Sequence, residues 1–167
     1  MSQTTEKPDL ERLYQLLQKA ESASLSTTRG QEMHARFLKF ACDEKLKAFY
    51  FLTARDKDKI KEIKDYPGCV MSVELGGRDD EDSMDITVKG NIHLLTDYKA
   101  HETQAGFKAL KERSKFAKFL FESGNMGEYI MLKVIPEEII IHKYRDIVNN
   151  IPGTTDATDA TGIKTEV

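Results

Sequence analysis

The stretch LSTTRGQEMHARFLKF, residues 25–40, restricts the fold of this chain more than any other. Ser24 to Thr28 is small and β-permissive, Arg29-Gly30 is a turn signal, and Met33 to Phe40 can form a second strand. That pattern is a hairpin, and a hairpin is antiparallel. Lys47 to Thr53, KAFYFLT, is aromatic and apolar and reads as a third strand. Asp56 to Asp65 reads as a short helix with Ile60 and Ile63 on one side, stopped by Tyr66-Pro67-Gly68. Cys69 to Leu75 is a fourth strand. The acidic GGRDDEDSMD then reads as an exposed hairpin loop, and Ile86 to Leu95 resumes a strand. Gly90 within it marks a bulge, or a place where another backbone or a ligand comes close. Glu128 to Val134 and Glu138 to His142 form two further strands around Pro136. Short strands joined by hairpins predict a mainly β molecule, a small closed barrel with flanking helices. A doubly wound parallel sheet would need regular βαβ alternation, which is missing.

The helices flank this β framework. Between Asp9 and Ala20, residues Leu10, Leu13, Leu16, Leu17 and Ala20 form one apolar face, and Pro8 sits where a helix start tolerates it. Residues 97–123 read as helix, in one piece or two, with a basic face that includes Lys108, Lys111 and Lys118. Amphipathic packing explains this face better than an acidic partner or nucleic acid does. The net charge of -3 also opposes bulk nucleic-acid binding. From Asn149 hydrophobicity falls away, so a disordered tail, 149–167, is expected behind a single domain, 1–148.

The 167 residues are 40 % hydrophobic, enough to bury a real core. No apolar run approaches the ~18 residues a membrane span needs. The opening MSQTTEKPDLERL lacks the pattern of a secretory signal. Cys42 and Cys69 form no CxxC, and the four histidines show no HxH or HExxH spacing, so a structural metal is not expected. Two unpaired thiols fit a reducing cytoplasm, and both read as small core residues. There is no GxSxG, no P-loop and no GxGxxG.

The residues left to carry chemistry are cationic. Arg36 lies among Phe37, Leu38 and Phe40, and a half-buried arginine wants an anionic partner. Thr53 ends the next strand, and Lys59 follows six residues later in the first turns of the short helix. A guanidinium, a hydroxyl, an ammonium and backbone donors could hold a phosphate. On spacing alone the plainer reading carries more weight: an edge arginine and a helix lysine, each in water. His34 shares the strand face of Arg36, and His142 sits in IIIHKY. Both read first as satisfied structural histidines.

The order of these weak motifs resembles the pyridoxamine 5′-phosphate oxidase-like family of FMN-binding split barrels, especially its short general-stress-protein branch. LSTTRGQEMHARFLKF resembles the family opening, and FYFLTARDKDKIKEIKDYPGCVMSVEL resembles the next block. ITVKGNIHLL resembles the strand holding the family glycine. The similarity spans roughly residues 8–145. It implies a six- or seven-stranded antiparallel split barrel that forms homodimers, with flavin sites at the interface. It further implies that Arg36 and Lys59 bind the FMN phosphate and that Thr53 binds phosphate or ribityl groups. Phe37, Leu38, Phe51 and Leu52 would line the isoalloxazine edge, largely through backbone groups, and Lys57 is a further candidate. Asp58 departs from the pattern, standing where true oxidases commonly have a second basic residue. True oxidases also share a C-terminal segment rich in Trp and Arg, whereas this chain has no Trp. The expectation is a flavin-dependent oxidoreductase acting on a small-molecule redox substrate other than pyridoxamine phosphate. The alternative is a non-catalytic flavin, deazaflavin or haem binder with a stress-related role.

Overall fold

The structure is a computed structural model and describes residues 9–76, 83–143 and 163–166. A helix, α1 (Leu10–Lys19), leads into the hairpin β1 (Ala23–Arg29) and β2 (Glu32–Leu38), then β3 (Phe40–Cys42) and β4 (Phe49–Ala54). Helix α2 (Lys57–Asp65) precedes the pair β5 (Gly68–Leu75) and β6 (Met84–Leu95). Helices α3 (His101–Arg113) and α4 (Lys115–Ser123) follow, then β7 (Tyr129–Lys143) and β8 (Ile163–Glu166). Seven strands pair in the order β2-β1-β5-β6-β7-β4-β3, all antiparallel.

β2 and β3 stand at opposite ends of that order, yet Lys39 alone separates them in the chain. One residue can bridge only about 7 Å between its neighbours' Cα atoms. The sheet must therefore curl until its two edges meet at this corner, which gives the split barrel. The single strand expected from Met33 to Phe40 is accordingly two strands, because its halves serve opposite edges.

Alternation sorts the side chains. Along β5, Cys69, Met71, Val73 and Leu75 face inward, while Val70, Ser72 and Glu74 face out. The barrel core gathers Leu25, Phe49, Phe51, Met71, Ile86, Val88, Leu132 and Val134, with Leu13 and Leu17 of α1 against it. A second cluster holds Tyr50, Leu95, Leu110, Ala117 and Met131 between the other face of β4–β7 and helices α3 and α4. Each fully buried side chain of this size contributes about 1.5–3 kcal/mol. Gly106 lets α3 pack there, since a Cβ would come within 2.7 Å of the Tyr50 ring. No helix among the described residues is long and apolar enough to cross a membrane.

β7 replaces the two strands expected around Pro136. Pro136 pairs with Gly90 where the β6–β7 register shifts, so its missing N–H costs the ladder little. A Cβ on Gly90 would collide with the Ile135 carbonyl oxygen, which is the close backbone approach that this glycine signalled. The helical region is in two pieces. Ser114 ends α3 and caps α4, its hydroxyl accepting from the Ala117 N–H at 3.2 Å. Most of the expected tail lies outside the described residues, but Ile163–Glu166 pairs parallel to Ile139–His142 of β7. The alternating, partly β-branched IKTE suits that pairing.

Candidate functional site

β4 brings Thr53 to its C-terminal end, and the chain turns at once into α2. Asp56 caps that helix, its carboxylate accepting from the backbone N–H groups of Asp58 at 2.8 Å and Lys59 at 3.0 Å. The cap fixes Lys59 in the first turn, facing back over the strand end. Its ammonium donates to Thr53 Oγ1 at 2.9 Å and to the Ala54 carbonyl at 3.4 Å. Thr53 itself is buried, at 5 % exposure.

Arg36 comes from β2, opposite Leu25 of β1, on the half-buried face that packs toward α2. Its guanidinium makes no hydrogen bond or ion pair among the described residues, yet its charge is felt by Asp56, Lys59 and Glu62. Burial first, and then the Arg36 charge, hold the Lys59 ammonium below the usual lysine range, against the opposing pull of Asp56 and Glu62. Two cations thus stand close enough to repel each other, and one of them has no hydrogen-bond or ion-pair partner among the described residues.

Two carboxylates temper them. Asp56 lies below the usual aspartate range, chiefly through the Lys59 backbone hydrogen bond and against some desolvation. Glu62 is buried on the inner side of α2. It accepts from Thr27 Oγ1 at 2.7 Å and bonds His34 Nδ1 at 2.9 Å. Burial alone would push its carboxyl up, but these two bonds, with the charges of His34 and Arg36, hold it below the usual glutamate value. His34 is therefore engaged within the fold, as its plainer reading held, and His142 likewise meets Asp85 at 3.0 Å. Cys42 and Cys69 are buried free thiols, each pushed up to about 12 chiefly by burial.

The structure therefore brings Arg36, Thr53 and Lys59 together. Phe37, Leu38, Phe51 and Leu52 do not form one wall within the chain. Phe37 projects outward at 78 % exposure, and Leu38 is half-buried against the barrel core. Phe51 is wholly buried, its backbone between Phe40 and Leu132 in the ladder. Leu52 packs on the second cluster. Lys57 is exposed. Backbone donors for an anion do not come from the Asp58 and Lys59 N–H groups, because Asp56 occupies both. An N-cap aspartate just before a helix was the legible signal. Glu62 gave no such signal, because it looks like any other charge on a solvated helix.

These features define a class: an antiparallel split barrel with a cation pair where β4 hands over to α2. No family model matches the sequence, and no curated protein does. Solved structures do match. A Clostridium acetobutylicum protein related to general stress protein 26, of the pyridoxinephosphate oxidase family, is 14 % identical with a TM-score of 0.61, covering 81 % of this chain and 89 % of its own. A FAD-binding protein from Mesorhizobium loti is 15 % identical with a TM-score of 0.55, covering 75 % and 87 %. HutZ, the haem storage protein from Vibrio cholerae, is 10 % identical with a TM-score of 0.61, covering 77 % and 90 %. The chain has the split-barrel fold of pyridoxamine 5′-phosphate oxidase-like structures, as its motif order implied.

Proposed function

We propose that this protein binds FMN and serves as a flavin-dependent oxidoreductase of a small-molecule redox substrate. The observation that carries the reading is the half-buried Arg36 beside Lys59 and Thr53, without a hydrogen-bond or ion-pair partner among the described residues. A dianionic phosphate would relieve the repulsion between the two cations and recover the cost of desolvating them. Arg36 offers a planar fork that can take two phosphate oxygens, Lys59 a compact charge, and Thr53 a hydroxyl that can turn its proton outward. Asp56 and Glu62 keep the cation pair tolerable and moderate its grip on an anion. Bound FMN supplies hydride and electron transfer at its ring. The apolar outer face of β2, with Met33 75 % and Phe37 78 % exposed, is the surface that a second copy would cover in a homodimer with interfacial flavin.

The absorption spectrum of the purified protein is the direct test, followed by titration of FMN into stripped protein. Flavin bands, or saturable FMN uptake weakened at least ~tenfold by Arg36→Ala and by Lys59→Ala, support the reading. A colourless protein that takes up no FMN would falsify it, and so would a Soret band without flavin. Oxidation of NAD(P)H dependent on bound FMN separates an oxidoreductase from a mere carrier.

A further inference from the structure

β4 has two faces, and the cation pair uses only one of them. Thr53 continues the inward series of Phe49 and Phe51, whereas Tyr50 and Leu52 point to the other side, under α3 and α4. On that other side the segment after β6, the two helices and the turn before β7 enclose a cleft of about 780 Å³. Its size falls within the ~300–1,000 Å³ typical of small-molecule sites.

The lining has a definite chemistry. Three aromatic rings run in series: Tyr98 stacks on Phe107 at 5.8 Å and 25°, and Phe107 meets Phe121 at 4.2 Å. Tyr98 is held at both ends, its hydroxyl accepting from Arg55 at 3.2 Å and its carbonyl from the Gln104 side chain. Among the described residues the rim carries Lys108 and Lys111 and no carboxylate. Neither lysine has a hydrogen bond or ion pair among the described residues. In a chain of net charge -3, a cleft with two uncommitted ammonium groups and no acid stands out. A Cβ on Gly127 would meet nothing within 4 Å, so this part of the lining is open. The rings of the cleft are only partly buried.

We infer that this cleft binds a planar aromatic anion, such as an aromatic carboxylate, separately from the flavin site. The flat ring of the ligand lies against Tyr98, Phe107 and Phe121, where offset or edge contacts are favourable. Its anionic group sits between Lys108 and Lys111, one helical turn apart on α3. An aliphatic anion lacks the stacking and an uncharged aromatic lacks the ion pair, so each binds more weakly.

The test is calorimetric titration of the full chain with 2-naphthoate, with and without saturating FMN. Naphthalene-2-methanol and cyclohexanecarboxylate serve as the uncharged and the non-aromatic comparators. Saturable 2-naphthoate binding is expected, with both comparators at least ~tenfold weaker. The double variant Lys108→Gln/Lys111→Gln changes two exposed side chains, so it should fold normally. It should weaken 2-naphthoate ~tenfold and leave naphthalene-2-methanol unmoved. The idea fails if 2-naphthoate does not saturate, if cyclohexanecarboxylate binds equally well, or if the double variant binds 2-naphthoate normally. Displacement of 2-naphthoate by FMN would overturn the separateness of the two sites. The assay needs no bound flavin, so a failure of the FMN proposal leaves it intact.

Discussion

Arg113 and Arg36 are both half-buried, and their surroundings differ. Arg113, at the end of α3, donates to the Leu17 carbonyl at 2.8 Å and to the Ala20 carbonyl, and lies 4.6 Å from the centroid of the Phe40 ring. Those carbonyls belong to the C-terminal end of α1, where backbone donors run short: that of Leu17 also accepts the Ala20 N–H at 3.2 Å. One guanidinium thereby ties α1, α3 and the corner strand β3 together. Arg36 has no such partner within the described chain; the charges beside it are Lys59, Asp56 and Glu62. A cation that the fold uses has its donors occupied inside the chain. On the proposed function, Arg36 is a cation kept for a ligand, with its donors open and carboxylates nearby.

The largest effect should come from Arg113→Ala, which takes the guanidinium donor from two helix-end carbonyls and the cation from the face of Phe40. Urea unfolding should read a loss of about 2–4 kcal/mol, and the protein that remains folded should bind FMN with unchanged affinity. Next comes Arg36→Ala. It should move the unfolding free energy by less than about 0.5 kcal/mol, while FMN affinity falls ~tenfold or more. If Arg36→Ala destabilised as much as Arg113→Ala, the contrast would be gone.

A smaller effect is expected of Glu62→Gln, which keeps an acceptor for Thr27 but removes the charge facing His34 and Arg36. The loss at neutral pH should be about 1 kcal/mol. The folded carboxyl titrates below the ordinary glutamate value of 4.5. Its contribution is therefore complete above that value and is lost as pH falls through the folded one. Unfolding curves of the parent and Glu62→Gln should converge in acid, and a gap that persists there would rule out a charged role. The smallest effect belongs to Asp56→Asn. Asparagine caps a helix as well as aspartate does, so stability should hold. FMN affinity should rise roughly twofold as the opposing charge goes. An affinity loss in an FMN fluorescence titration would mean that Asp56 organises the site instead of opposing the anion.

Much of this was legible in sequence because it depends on neighbours in the chain. The turn at Arg29-Gly30, the stop at Tyr66-Pro67-Gly68 and the tight spot at Gly90 are local steric facts. The pairing of Thr53 with Lys59 is also local, since six residues carry the chain from strand end to first helical turn. The break at Lys39 was not legible. Nothing in RFLKF distinguishes one long strand from two strands bound for opposite sheet edges. The continuity of β7 through Pro136 was hidden for a similar reason, because the bulge that accommodates the proline is shared with Gly90, 46 residues away in sequence. Arg113 looked like one more member of a basic helix face, and its targets in α1 lie more than 90 residues back.

The sequence by itself determined the antiparallel class, the short capped helix after β4 and the identity of the candidate cations. Hydrophobic alternation, turn chemistry and capping act over a few residues, and one chain suffices to read them. Tertiary structure decided which cations are satisfied. Whether a guanidinium meets two carbonyls and a ring, or the charges of Lys59, Asp56 and Glu62, depends on how the curled sheet brings distant elements together. Local patterning carries no record of that meeting.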